Sequence, residues 1–409
     1  MESTIPTWQA TTLAGILVWI FFARVTNLTA RLRSLTQPII SDRAEKGINF
    51  VLRVQKLKHP FLDTFFAYLS TIVSVAFYTC FLPILFWSGH CKLGRQMTLL
   101  MAFCDYAGNC VKDVVSSPRP QSPPVRRLAT AEHEKENALE YGFPSSHTLN
   151  TIVLSGYLLN YVISNNYIDE YVLKTVASLL FVILISLVGL GRIYLGMHTL
   201  IDIVGGAALG TAILFFWLSV HETLDNFVTS GKNVPSFWAS LAFLLLFAYP
   251  TPELPTPSFE FHTAFNGVAL GVVTGIHRTF KEFHHEDVPR LFGPHLGAMV
   301  FARRVIVGLP IIIAVKTFSK VLAKRLLPLL CNLMGLPMKS SSYIQPVKGA
   351  ISSTEKSQTV GQSGYLQKIF LSSPEESYDV DTGIRLFQYA GLAWAVVELV
   401  PIVFNSLRL

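Results

Sequence analysis

The chain has 409 residues, of which 51% are hydrophobic and 14% are charged, whereas soluble domains carry about 25% charged residues. This composition excludes a string of soluble domains and predicts an all-α fold, a polytopic transmembrane helical bundle. The net charge of +7 is typical of basic loops beside lipid headgroups. It does not indicate nucleic-acid binding, because no basic patch is interleaved with aromatic residues on a soluble unit.

The N-terminal segment combines a short apolar run with a basic stretch. The run at 10–22 lacks a basic leader and a cleavage site, so it predicts a first transmembrane or interfacial helix rather than a signal peptide. Residues 24–58 are basic and partly amphipathic. This pattern is typical either of a helix lying on anionic lipid or of a solvated juxtamembrane segment.

Five apolar spans are expected in the next part of the chain. Residues 62–87 form one span, and a less apolar span at 96–111 carries Asp105. The polar segment 113–141 then stops the helix, and its prolines predict a rigid, extended loop. The other three spans of this part are expected at residues 148–163, 173–190 and 199–220.

The remaining spans are expected at residues 237–249, 261–276, 297–315 and 386–407. Together the segments predict roughly eight or nine crossings of the membrane. They divide the chain into an N-terminal segment at 1–60, a core with the polar motifs at 61–220, further helices at 221–337, a polar loop at 338–385 and a C-terminal transmembrane helix at 386–409.

Small residues recur at helical spacing in two spans, and this predicts close helix packing. The glycines are Gly205, Gly206 and Gly210 in one span, and Gly267, Gly271 and Gly275 in the other. The run His-His-Glu-Asp at 284–287 predicts a solvated loop rather than a metal site, because adjacent helical residues point apart. The five cysteines lack metal-ligand spacing, so they are expected to be buried as small hydrophobes.

The first polar cluster consists of Lys112 and Arg119 at the start of the proline-rich loop. Lysine supplies a compact charge, and arginine supplies a planar fork that can bind two phosphate oxygens. The pair therefore fits a phosphate site, although two basic anchors at a helix end would have the same pattern.

The second cluster, Ser145-Ser146-His147, stands where a polar loop meets an apolar helix. It fits an N-capped helix with a histidine in its first turn. It also fits an anion site in which Ser145 and the unpaired main-chain N–H groups bind phosphate. In that case His147 would donate a proton.

The third cluster consists of Arg192 in a glycine-flanked loop, His198 and Asp202. The i, i+4 spacing of His198 and Asp202 predicts one helix face, where the carboxylate would hold the imidazole tautomer. The second ring nitrogen would then be available as nucleophile or base. A His–Asp pair inside a membrane helix is costly, which favours function over packing.

Alternate crossing of the membrane places all three clusters on the same side. Three cations would then surround a phosphoryl group and stabilise the charge that develops on its oxygens. Because no group of carboxylates suits a metal, we expect metal-independent chemistry without a cofactor.

The combined pattern K-x6-RP, PSxH and R-x5-H with Asp202 four residues later resembles the type 2 phosphatidic acid phosphatase superfamily. Within it, the stretches Gly191-Arg192-Ile193-Tyr194 and Tyr141–Thr148 resemble those of sphingosine-1-phosphate (long-chain base 1-phosphate) phosphatases. The superfamily usually has glycine at the position of Ser146 and serine at that of Gly191. The resemblance implies a six-helix lipid-phosphatase core.

The resemblance also implies residue roles. His198 would attack phosphorus to form a phosphohistidine, Asp202 would orient His198, and His147 would protonate the leaving alkoxide. The phosphoryl oxygens would be bound by Lys112, Arg119, Ser145, Ser146 and Arg192.

The sequence thus predicts an integral membrane phosphatase whose substrates are sphingoid base 1-phosphates, in an endoplasmic reticulum membrane with a lumenal site. A broad lipid phosphate phosphatase acting on phosphatidate or lysophosphatidate, and a lipid phosphotransferase, are alternatives. A transporter or scaffold with a dead site is a non-enzymatic alternative. The basic segment 24–58 argues for a cytosolic site by the positive-inside rule.

Overall fold

The computed structural model describes residues 5–71, 74–129, 135, 138–165, 167, 170–254, 256–291, 293, 296–336, 338–339 and 378–409. These residues are largely helical, and the predicted all-α fold is confirmed. Residues 340–377 of the predicted polar loop at 338–385, and part of the polar segment 113–141, lie outside the described residues.

The longest connections between helices are the one after α5, at 116–145, and the one between α11 and α12, at 334–379. The helices are α1 (Thr7–Val25), α2 (Leu28–Gln55), α3 (Pro60–Thr71), α4 (Val75–Trp87), α5 (Cys91–Val115), α6 (Ser146–Ser164), α7 (Tyr171–Tyr194), α8 (Leu200–Ser230), α9 (Val234–Ala248), α10 (Ser258–Thr279), α11 (Ala298–Leu333), α12 (Val380–Trp394) and α13 (Val400–Ser406). Two π-helical turns, Phe280–His284 and Ala395–Leu399, extend α10 and join α12 to α13. Two short parallel strands, Met338–Lys339 and Tyr378–Asp379, pair with each other.

Within the described residues, five helices are long and apolar enough to cross a membrane. They are α1, α7, α8, α11 and the continuous helix Val380–Ser406. Helices α4 and α9 are apolar but shorter. Helices α5, α6 and α10 are not among the five, because they carry polar residues that lower their hydropathy. The eight or nine crossings expected from the sequence stay a prediction.

The two predicted glycine seams are confirmed. A side chain at Gly267 or Gly271 would overlap main-chain atoms of α12. A Cβ at Gly206 would lie 2.6 Å from the main-chain oxygen of Ser145, and one at Gly210 would lie 3.0 Å from the main-chain oxygen of Leu149. The second seam brings the start of α8 against the start of α6, where two of the polar clusters lie.

Two sequence-based expectations about helix layout are wrong, and the expected burial of the cysteines is wrong for Cys80, which is exposed. The single span expected at 62–87 is broken into α3 and α4, since Ser74 caps α4 by accepting a hydrogen bond from the Phe77 N–H. His284, expected in a solvated loop, is buried, and its Nε2 lies 2.6 Å from the main-chain oxygen of Val397. The π-helical turn at the end of α10 directs the ring inward, and this turn has no clear signal in the sequence.

The basic segment forms helix α2, and one end of it packs beside the C-terminal end of α5. Arg33 donates to the main-chain oxygens of Asp113 (3.0 Å) and Val114 (3.3 Å), and Gln37 donates to that of Ser116 (2.9 Å). These contacts place α2 at the same end of the bundle as Lys112, as the alternate-crossing argument expects.

Candidate active site

A cavity of about 380 Å³ opens between α4, α5, α6, α10 and α12. Its polar lining includes Arg119, Glu140, Ser146, His147 and His198. Much of the remaining wall is apolar and includes Tyr78, Leu82, Phe86, Phe265, Val272 and Leu392. Polar groups beside a long apolar wall suit an amphiphilic ligand.

His198 lies between α7 and α8 and is 1% exposed. Its Nε2 is 2.9 Å from Nη1 of Arg119, which also donates to the main-chain oxygen of Met197 (2.8 Å). Because a guanidinium only donates, Nε2 must accept here, and the ring proton is therefore assigned to Nδ1. In this tautomer, the lone pair of Nε2 points toward Arg119, which lines the cavity.

The pKa of the His198 imidazole is lowered well below its ordinary value. Burial is the main cause, and the positive charges of Arg119, Arg192 and Lys112 add to it. Both effects disfavour the imidazolium. The ring is therefore neutral at physiological pH, as a nucleophile or a general base requires.

Asp202 lies near His198, but the two residues do not share a helix face as the sequence predicts. Helix α8 begins at Leu200, so His198 precedes it, and His198 Nδ1 lies 3.7 Å from Asp202 Oδ2. That oxygen accepts hydrogen bonds from the N–H (2.7 Å) and hydroxyl (3.0 Å) of Thr199. The sequence Thr-Leu-Ile-Asp at 199–202 is a capping box, and this signal was not used in the sequence-based prediction.

The expectation that Arg192 lies in a loop is also wrong, because Arg192 lies in the last turn of α7. The guanidinium is buried, and Nη1 donates to Ser70 Oγ at 3.2 Å. The helix continues through Gly191, where a side chain would collide with the ring of Phe66. The turn comes later, at Gly196 with φ +72°, a conformation that favours glycine.

The second cluster forms the N-terminus of α6, as expected. Ser145 is the N-cap and accepts from the N–H of Thr148 at 3.5 Å, and its own N–H donates to the main-chain oxygen of Asp202 at 3.0 Å. Ser146 and His147 occupy the first turn and line the cavity. The first turn of a helix offers N–H donors and a positive dipole end to an anion.

Glu140 is a site residue that the sequence analysis did not single out. Its carboxylate pairs with the ammonium of Lys112 and lies 3.6 Å from Arg119 Nη2. Lys112 also donates to Ser146 Oγ at 2.6 Å, and Arg119 Nε donates to the Glu140 main-chain oxygen at 2.9 Å. The position of Glu140 directly before Tyr141 and the second cluster was the available signal.

The three clusters therefore meet at one cavity. Arg119 joins the first cluster to His198, Lys112 joins it to Ser146, and Asp202 joins the third cluster to Ser145. Among the residues that the structure describes, no group of three or more His, Cys, Asp or Glu side chains is placed to hold a metal ion. Metal-independent chemistry stays a prediction.

Comparisons with known proteins agree with this arrangement. The PAP2 superfamily model matches residues 93–225, which include all three clusters. Lipid phosphate phosphatase delta of Arabidopsis thaliana is 53% identical over 403 residues, covering 98% of this chain and 97% of the relative.

More distant relatives have narrower names. A dihydrosphingosine 1-phosphate phosphatase of Schizosaccharomyces pombe is 28% identical over 395 residues, with 92% of this chain and 91% of the relative covered. Human sphingosine-1-phosphate phosphatase 2 is 30% identical over 225 residues, which is 54% of each chain. No solved structure matches the chain.

Extended similarity to a lipid phosphatase, together with three motif clusters around one cavity, settles the family and the general reaction. The chain belongs to the PAP2 superfamily, as a lipid phosphatase that hydrolyses phosphoric monoesters.

Proposed function

We propose that this lipid phosphatase hydrolyses sphingoid long-chain base 1-phosphates through a phosphohistidine on His198. The observation that carries the mechanism is the environment of that ring. It is buried and neutral, and its accepting nitrogen lies 2.9 Å from a guanidinium on the wall of a largely apolar cavity. A phosphoryl group that takes over the hydrogen bond of Arg119 would therefore free the Nε2 lone pair next to phosphorus.

In the first step, His198 Nε2 attacks phosphorus, and the bond between phosphorus and the lipid C1 oxygen breaks. His147, on the same cavity, gives its proton to the leaving alkoxide. The proton on His198 Nδ1 faces Asp202 Oδ2 at 3.7 Å, where the carboxylate favours the positive charge that the ring gains. The free base leaves, and the phosphoryl group stays on His198 Nε2.

In the second step, water attacks phosphorus while His147 accepts one of its protons, and the bond between phosphorus and His198 breaks. Phosphate leaves, and both histidines return to their starting states. If a lipid hydroxyl attacks instead of water, the same intermediate gives phosphotransfer, which is the minor alternative.

The charge on the phosphoryl oxygens would be stabilised by a cradle of cations and helix N–H groups. The proposed cradle consists of Lys112, Arg119, Ser145, Ser146 and Arg192. Four of these form hydrogen bonds within the site. Lys112 donates to Ser146, Arg119 donates to His198, and the N–H of Ser145 donates to the main-chain oxygen of Asp202. Donors fixed by the fold before substrate arrives need little reorganisation in the transition state.

Two observations favour long-chain base phosphates over other lipid phosphates. One is the name of the relative from Schizosaccharomyces pombe, a dihydrosphingosine 1-phosphate phosphatase that is similar along most of the chain. The other is the resemblance of the stretch Tyr141–Thr148 to that branch. The more similar plant relative is named only a lipid phosphate phosphatase, and it supports broad activity on phosphatidate and lysophosphatidate equally well.

The test is phosphate release by purified protein in detergent from dihydrosphingosine 1-phosphate, phosphatidate and lysophosphatidate, with His198→Ala as the inactive control. We expect the highest kcat/KM for dihydrosphingosine 1-phosphate. Equal kcat/KM values for the three lipids would favour the broad alternative. No release from any of them would favour the transporter or scaffold.

We also propose an endoplasmic reticulum location with a lumenal site, on the basis of the family resemblance. Helix α2, which is basic and lies at the active-site end, supports the opposite orientation. Glycosylation of an acceptor sequence inserted between Gln121 and Pro123 would report the side directly. An unglycosylated insert in an active variant would contradict the lumenal assignment.

A further inference from the structure

One face of α5 carries a polar stripe that leads from the phosphate cradle into the cavity. Asp105, Asn109 and Lys112 are spaced i, i+4 and i+7, so they share a face over two turns, about 10 Å along the axis. Asp105 and Asn109 line the cavity. Helical side chains incline toward the N-terminus, so the long side chain of Lys112 extends toward the level of Asn109.

Three carboxylates line the cavity, and they differ in how their charge is balanced. Glu140 pairs with Lys112, and Glu260 pairs with Arg385. Asp105 forms no ion pair within the described part of the chain. Asn109 hydrogen-bonds to its carboxylate, but Oδ2 is buried without a hydrogen-bond partner there. A carboxylate oxygen that is buried without a partner is costly, so this position favours a ligand that brings a positive charge.

A long-chain base 1-phosphate brings such a charge. Its ammonium is on C2, next to the C1 that bears the phosphate, whereas glycerol-based phosphates have an uncharged oxygen there. With phosphate on Lys112, the ammonium would lie about one helical turn, roughly 5 Å, further along the stripe. That displacement leads toward Asp105.

We propose that Asp105 binds the C2 ammonium of the substrate and is the residue that selects long-chain bases among lipid phosphates. This inference rests on the proposed function, since it assigns a substrate-recognition role within the same cavity. Glu260 is not assigned that role, because Arg385 already balances its charge.

The test compares two lipids that differ only at C2: dihydrosphingosine 1-phosphate and its analogue with a hydroxyl in place of the amine. We expect the full-length wild-type protein to prefer the amine by about 10- to 100-fold in kcat/KM, the range expected for one charged hydrogen bond. Asp105→Asn keeps the shape and removes the charge. It should bring the preference close to one by lowering turnover of the amine alone.

Glu260→Gln is the matched control, and it should keep the wild-type preference for the amine. The assignment to Asp105 is overturned if wild-type protein shows no preference, if Asp105→Asn keeps it, or if Glu260→Gln abolishes it. If Asp105→Asn fails to fold, Asp105→Ser, which also removes the charge, is compared with wild type in the same way, and a kept preference overturns the assignment. Turnover of lysophosphatidate with none of the amine would refute the proposed function itself, whereas equal turnover of amine and analogue would refute only the Asp105 subsite.

Discussion

Replacing Glu140 with glutamine removes the negative charge that pairs with the cations proposed to bind phosphate. The carboxylate is paired with the Lys112 ammonium and lies 3.6 Å from Arg119 Nη2. An incoming phosphate needs the same donors, so it must displace Glu140 or share the cations with it. The carboxylate therefore competes with phosphate, and Glu140→Gln should bind inorganic phosphate more tightly.

The magnitude follows from the burial of the pair. The side chains of Lys112 and Glu140 are 1% and 6% exposed, so solvent does not screen their attraction as it screens a surface pair. A charged hydrogen bond contributes about 1.5–3 kcal/mol, and about 1.4 kcal/mol corresponds to a tenfold change in affinity. We therefore expect the inhibition constant for phosphate to fall by about 10- to 100-fold.

The assay is product inhibition of lipid hydrolysis by inorganic phosphate, together with thermal unfolding in detergent with and without phosphate. Without phosphate, Glu140→Gln should unfold at a lower temperature than wild type, because two buried cations lose a partner. Added phosphate should raise the unfolding temperature of the variant back toward that of wild type. Glu222→Gln is the control, since Glu222 pairs with Lys92 and its side chain is 54% exposed. Weaker or unchanged inhibition of Glu140→Gln by phosphate would refute the competing role.

Three further predictions concern packing, pH and metal. Gly271→Ala should lower the free energy of unfolding by about 1–3 kcal/mol, because the added methyl group overlaps the Ala390 main chain. Gly15→Ala is the control and should not lower it, because nothing lies within 4 Å of the added methyl group. Equal unfolding temperatures of the two variants would contradict the glycine seam. Burial lowers the pKa of His198, so below about pH 6.5 the unfolded chain binds a proton that the folded protein excludes. Stability should therefore fall as pH falls through that value, and less so in His198→Gln; identical pH dependence of the two unfolding temperatures would contradict a neutral ring. EDTA should leave phosphate release unchanged, whereas a strict requirement for Mg²⁺ would contradict metal-independent chemistry.

The sequence predicted those features that depend on local pattern. Glycines at i, i+4 and i+8 place Gly267, Gly271 and Gly275 on one helix face, and this spacing is sufficient to predict the seam with α12. Likewise, Ser145 before an apolar run predicts an N-cap, and the structure places it there. The residues proposed for chemistry could be selected because cations and histidines are rare in apolar segments.

Features that depend on long-range contacts were missed. Lys112 and Glu140 form an ion pair although they are 28 positions apart in the sequence, and no periodicity relates them. Arg192 was expected in a loop because of the glycines before it, but Gly191 allows close packing against Phe66 instead. The predicted geometry of His198 and Asp202 was wrong for a local reason, since the capping box at Thr199 starts the helix two residues after the histidine.

The central claim is that His198 is the nucleophile, and trapping the phosphoenzyme tests it most directly. Wild-type protein is mixed with dihydrosphingosine 1-phosphate carrying radiolabelled phosphate, quenched in alkali and digested, and the labelled peptide is identified. We predict an acid-labile, alkali-stable label on His198 that is absent from His198→Ala. Label on another residue, or wild-type turnover in His198→Ala, would contradict the mechanism.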